Sequence, residues 1–95
     1  MLNINQYFDG KVVSIGLQTE SQTATVGVMD IGEYQFGTNQ REVMNVVSGQ
    51  LLVKLPNSDA WREVNTGESF EIAAEQVFNV KANTQTAYFC TYHDK

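Results

Sequence analysis

Few side chains in this 95-residue chain are equipped for chemistry. Cys90, the one cysteine, sits in an apolar strand pattern, Tyr88-Phe89-Cys90. It can form neither an internal disulfide nor a zinc knuckle, and it reads as a buried reduced thiol. His93, the one histidine, stands in a polar end, His93-Asp94-Lys95, and reads as part of a mobile tail rather than as a general acid. The remaining candidates gather between Gly32 and Leu55, GEYQFGTNQREVMNVVSGQLLVKL. There Tyr34, Phe36 and Thr38 alternate with Gln35 and Gly37, the period of two that puts three side chains on one face of a strand. Arg41 follows in a loop, and its guanidinium suits bidentate contact with a phosphate, although a solvated loop charge is the plainer reading. Glu42 opens a second extended run. Any chemistry is expected on the inward face of this stretch.

The elements that must position these groups are strands. Gly32 to Leu55 reads as two antiparallel strands and a loop, followed by a hairpin turning at Ser48-Gly49, where glycine supplies positive φ. Before it, Leu2 to Phe8 is a short lead whose aromatics, Tyr7 and Phe8, dock the terminus onto the domain or a neighbour. Asp9-Gly10 is a turn, Lys11–Ile15 a first strand ended by Gly16, and Ala24–Asp30 a strand apolar on both faces. Gly27 within that strand marks a close backbone approach. After Pro56 come short strands at Trp61–Val64, Ser69–Ile72, Val77–Val80 and Thr86–Tyr92, separated by turn residues. No segment carries ten residues of helical periodicity, and strands recurring every 8 to 12 residues predict an all-β sandwich or barrel.

Composition narrows the function. The chain has one domain's length, residues 1–95, and 42% hydrophobic against 18% charged residues fits a folded globule. A net charge of −5 repels a phosphate backbone, which argues against nucleic acid as partner. No run approaches the roughly 20 apolar residues that span a bilayer, and the first ten residues do not read as a signal peptide. The expectation is a soluble protein of a reducing cytoplasm, with no membrane partner.

The central stretch resembles the first motif of the cupin barrels: Glu42 and Gly49 keep the motif's glutamate and closing glycine, and Gly67 matches the opening glycine of the second motif. The motif's histidine positions fall on Phe36, Thr38 and Phe78. A first-row metal needs three or four N, O or S donors, and Glu42 with a weak hydroxyl at Thr38 does not supply them, so no catalytic metal is expected. Over nearly its whole length the chain resembles the small pyrimidine/purine nucleoside phosphorylases. The resemblance rests on Asn5-Gln6-Tyr7-Phe8-Asp9-Gly10-Lys11-Val12, Ser14-Ile15-Gly16, Thr25-Val26-Gly27-Val28-Met29 and Gly32-Glu33-Tyr34-Gln35-Phe36. Met44 to Gly49, Leu55-Pro56, Trp61 and Tyr88-Phe89-Cys90-Thr91-Tyr92 continue it.

That resemblance implies a cupin-like β-barrel, a jelly roll or double-stranded β-helix. It also implies phosphorolysis of purine and pyrimidine nucleosides to free base and pentose 1-phosphate, with inorganic phosphate as co-substrate and no cofactor. Laid over it, Tyr34, Phe36 and Phe78 would stack on the base, although each phenylalanine taken singly is as readily core. Glu42, inward in the cupin register, would accept ribose hydroxyls and steady a cationic sugar; otherwise it is a surface carboxylate. Thr38 would donate to phosphate or ribose, and Arg41 or an anion nest of backbone N–H groups at Gly37-Thr38-Asn39 would hold phosphate. Tyr7, Phe8, Trp61, Tyr88 and Tyr92 are more aromatics than so small a barrel covers, which predicts a homodimer. A non-catalytic barrel binding a nucleoside or other metabolite, or a cupin enzyme with unconventional metal ligands, are the competing readings.

Overall fold

The computed structural model of the protein describes residues 1–94. Alternating apolar and polar residues, broken by Gly, Asn and Asp, become ten strands: β1 (Ile4–Tyr7), β2 (Val12–Gln18), β3 (Thr23–Met29), β4 (Gly32–Gly37), β5 (Arg41–Ser48), β6 (Gln50–Lys54), β7 (Arg62–Asn65), β8 (Ser69–Ile72), β9 (Val77–Ala82) and β10 (Thr86–His93). They form a six-stranded sheet in the order β1-β2-β3-β10-β5-β8 and a four-stranded sheet in the order β4-β9-β6-β7. Every pairing is antiparallel. The fold is therefore all-β, a jelly-roll arrangement whose two sheets stay distinct instead of closing into a continuous barrel. No helix among the described residues is long and apolar enough to cross a membrane.

The core lies between the sheets. Met29, Met44, Val46 and Ile72 face it from the larger sheet, and Leu51, Val53, Phe78 and Val80 face it from the smaller. Burying each such side chain contributes roughly 1.5–3 kcal/mol. On the opposite face of β3, Val26 and Val28 are about half exposed, so the strand is indeed apolar on both faces.

Several local expectations change. The lead before Asp9 is a strand, with Ile4 opposite Ile15. Gly16 does not end β2; it pairs with Thr25, and its N–H donates to Asn3 O at 2.9 Å. Nor do β4 and β5 pair with each other: β4 lies beside β9, and β5 lies between β10 and β8. Ser48-Gly49 is consequently no hairpin but a crossing from one sheet to the other. Gly49 has φ of 108°, and a Cβ there would stand 2.5 Å from Thr86 Oγ1, so both conformation and space demand glycine. His93 belongs to β10, opposite Arg41, with its Nε2 2.9 Å from Thr91 Oγ1; it is no free tail. Lys95, also read as tail, lies outside the described residues.

Candidate active-site cavity

β4 and β9 carry the aromatic wall of the site. Period-two alternation turns Phe36 and Phe78 to the same face, and the ladder sets them directly opposite each other. Their ring centroids are 5.7 Å apart at an interplanar angle of 30°, and Phe70 backs Phe78 at 6.1 Å. The two rings border a cavity of about 520 Å³ between the sheets. Its floor is the buried set Ser14, Met29, Met44, Phe78 and Tyr88, and Phe36, Glu42 and Tyr92 stand halfway up. The exposed rim carries the rings of Tyr7 and Phe8 together with Gln35, Gly37, Asn39 and Gln40.

Glu42 is the one carboxylate of this lining. It sits on β5 opposite Tyr92 of β10 and Ile72 of β8, and its Oε1 accepts a hydrogen bond from the Cys90 thiol at 3.6 Å. Burial raises its carboxyl above the ordinary range, and the thiol contact partly offsets this. Burial likewise raises Cys90 and Tyr92, and it pushes Tyr88 up to about 12. Glu42 is thus an ionisable group set among neutral ones. Tyr92 OH lies 3.1 Å from Thr25 Oγ1, and Tyr88 is hydrogen-bonded to Ser14.

Tyr88 explains Gly27. The two are cross-strand partners, and a Cβ on Gly27 would lie 2.5 Å from the Tyr88 ring and hydroxyl. The close approach implied by a glycine in an apolar strand is that of this phenol, which lies over β3 and shapes the cavity floor.

The structure brings Glu42, Phe36 and Phe78 together and sets the other expected residues apart. Tyr34 does not reach the cavity. It is buried behind the rings of Phe8 (centroid 5.0 Å) and Phe36 (6.2 Å), and its hydroxyl donates to Asp30 O at 2.7 Å. Thr38 is a buried staple: its Oγ1 donates to Ala73 O at 2.7 Å and accepts from Gln76 N at 3.0 Å. Its N–H donates to Gln76 O at 3.0 Å, which takes the middle donor out of any nest over residues 37–39. Arg41 pairs with Glu71 at 3.2 Å on the surface and does not line the cavity.

The lining residues that pattern reading passed over are the rim amides and the tyrosines of β10. Tyr88 and Tyr92 carried a signal, aromatics repeating at even spacing in a strand. Their inward direction depended on the pairing of β10 with both β3 and β5. Trp61 rests between Lys81 and Lys54, with ammonium-to-ring distances of 4.3 and 5.1 Å. Three of the aromatics expected to need a partner subunit are therefore covered or turned inward within one chain. Tyr7 and Phe8 stay partly exposed, and Ile4, Ile15 and Val26 form an exposed apolar row across β1, β2 and β3.

A metal cradle of the cupin kind does not fit this lining. Phe36 and Phe78 occupy two of its positions, and Cys90 is the only thiol beside Glu42, two donors where three or four are required. Among the described residues, no group of three or more His, Cys, Asp or Glu could hold a metal ion.

Residues 2–92 match the family model described as pyrimidine/purine nucleoside phosphorylase. The chain is 56% identical over 92 residues to pyrimidine/purine nucleoside phosphorylase 2 of Psychrobacter cryohalolentis, covering 97% of this chain and 98% of that one. Among solved structures, a Vibrio parahaemolyticus protein of unknown function superposes with a TM-score of 0.94 at 40% identity, covering 98% of this chain and 99% of that one. An RmlC-like cupin from Shewanella frigidimarina superposes with a TM-score of 0.76 at 19% identity, covering 97% and 83%, a likeness of fold.

Proposed function

We propose a metal-independent, phosphate-dependent cleavage of both purine and pyrimidine nucleosides by this chain, which belongs to the pyrimidine/purine nucleoside phosphorylase family. The observation that carries the reading is the facing pair Phe36 and Phe78 in one cavity with the lone carboxylate of Glu42. A flat apolar wall accepts any base, because every base has a π-face. Breadth toward purines and pyrimidines follows from stacking where no base-edge code is needed.

In the reaction the C1′–N bond breaks, an oxygen of phosphate bonds to C1′, and the departing base takes up a proton. The sugar acquires cationic character between these events. Glu42, ionised above its raised pKa and shielded from bulk water, accepts ribose hydroxyls and stabilises that charge. The rim amides of Asn39 and Gln40 are neutral donors for the incoming phosphate. The Gln40 amide is held only by a long contact, Nε2 to His93 O at 3.4 Å. Thr38 holds the loop beneath these amides. The reading includes a cytoplasmic homodimer meeting through the Ile4–Ile15–Val26 face, where apolar side chains from three strands lie in register.

Release of uracil, adenine and hypoxanthine from their ribonucleosides tests the reaction. Base should appear with phosphate present and not in its absence, and activity should survive dialysis against a chelator. Nucleoside binding without release would make the cavity a metabolite sensor's, and metal retained in stoichiometric amount with loss of activity on its removal would restore a metal cupin.

A further inference from the structure

The turn between β1 and β2 combines features that local preference does not explain. Gly10 N donates to Tyr7 O at 3.2 Å, closing a turn whose two central residues are Phe8 and Asp9. Both have positive φ, 53° and 57°. Positive φ at both central positions is the signature of a type I′ turn, for which Asn-Gly is preferred and a bulky aromatic is among the poorest choices. Asp9-Gly10, with φ of 57° and 85°, is the centre of an overlapping turn closed by Lys11 N donating to Phe8 O at 3.2 Å, so the left-handed run begins one residue earlier than that dipeptide requires. A residue kept in a costly conformation points to what its side chain does.

The side chain goes to the cavity. Phe8 meets Phe36 edge-on at 90° with centroids 5.6 Å apart, and it covers Tyr34 at 5.0 Å. It nevertheless remains 43% exposed, with its free side on the rim. A ring required only as core would be covered; this one is backed on two sides and open toward the opening. It also stands between the cavity and Tyr34, the residue expected from the strand pattern to meet the base.

We infer that Phe8, held over the rim by the left-handed turn of β1–β2, is a base-binding residue that closes an aromatic corner with Phe36 around the heterocycle of the nucleoside. The inference rests on the phosphorylase reading of the same cavity. It assigns the base to the aromatic rings of the rim and leaves the rim amides of Asn39 and Gln40 to the oxyanion. A purine presents more face than a pyrimidine, so the contact favours purine nucleosides.

Replacing the turn by its preferred dipeptide separates ring from scaffold. In Phe8→Asn/Asp9→Gly the turn is better formed while the ring's contacts with Tyr34 and Phe36 are lost, so the melting temperature should stay within a few degrees of the wild type. Nucleoside KM should rise about tenfold for adenosine or inosine and less for uridine, on the scale of one lost base–aromatic stack, with phosphate KM unchanged. Phe8→Tyr should retain the wild-type values. A double variant with nucleoside KM within twofold of wild type overturns the inference, whatever its stability, as does an equal rise in nucleoside and phosphate KM. Isothermal titration with adenosine distinguishes this failure from failure of the wider reading. A wild type that binds adenosine without releasing base, and loses that binding in the double variant, keeps the base wall and removes the phosphorolysis. A wild type that binds no nucleoside overturns both.

Discussion

The sandwich has two ends built by the same alternation, and they differ in how tightly their polar side chains are held. At the closed end Leu51, Val53, Val64 and Val80 are essentially inaccessible. The buried Thr86 hydroxyl there has two carbonyl acceptors for its one proton, Thr84 O at 3.0 Å and Gln50 O at 3.1 Å, and accepts from Gln50 N at 3.3 Å. At the open end Glu42 has a thiol at 3.6 Å, and the Gln40 amide holds a contact of 3.4 Å. An end whose hydrogen bonds are complete has nothing to offer a ligand. An end with long, neutral contacts can exchange them for those of a sugar and an oxyanion at little cost.

Substitutions that touch one end and spare the other test this division. Leu51→Ala should cost about 2–5 kcal/mol of unfolding free energy by denaturant titration and leave the kcat/KM of the folded fraction unchanged; a parallel fall in kcat/KM would mean the ends are not independent. Glu42→Ala should do the reverse, lowering kcat/KM by about a hundredfold, the scale of removing one electrostatic stabiliser of a transition state. Turnover equal to wild type in that variant would remove Glu42 from the chemistry.

Gly27→Ala should act on the cavity by volume. The added methyl must displace the Tyr88 ring, at about 1–3 kcal/mol of stability, and it should impair purine nucleosides more than pyrimidine nucleosides in kcat/KM. Equal losses for both would show that Tyr88 does not shape the base's space.

The raised carboxyl of Glu42 gives a pH signature. The folded chain holds that proton more tightly than the unfolded chain does. Its contribution to stability is therefore fully present below the ordinary glutamate pKa and lost as pH rises through the higher folded value. Thermal melts of Glu42→Gln should match wild type at acid pH and exceed it as pH passes that value. Curves that stay parallel throughout would place Glu42 in an environment like water. The smallest effect belongs to Arg41→Ala. Its exposed pair with Glu71 is worth about 0–1 kcal/mol, and phosphate KM should not move; a rise would return the guanidinium to the site.

The inward pair Phe36 and Phe78 and the carboxylate Glu42 were legible because strand parity and motif spacing agree at those positions. Parity alone misjudged Tyr34 and Thr38. They share a face with Phe36, yet one strand step along β4 is enough to put Tyr34 behind Phe8 and Thr38 against the chain at Ala73 and Gln76. Alternation reports direction and not depth. The crossing at Ser48-Gly49 resembled a hairpin because a glycine of positive φ serves either connection, and only long-range pairing distinguishes them. Phe8 was hidden for a different reason: the turn is announced by Asp9-Gly10, and no residue preference shows that its left-handed run begins on the aromatic before them.

β10 is the middle partner of the larger sheet, bordered by β3 on one side and β5 on the other. The ribosome makes it after both. Until it emerges, β1–β2–β3 and β5–β8 are separate fragments with exposed edges and no seam between them, and the wall bearing Tyr88 and Tyr92 does not exist. A nascent chain stalled near residue 85 should therefore be a substrate for chaperones and proteases rather than a slightly shortened enzyme.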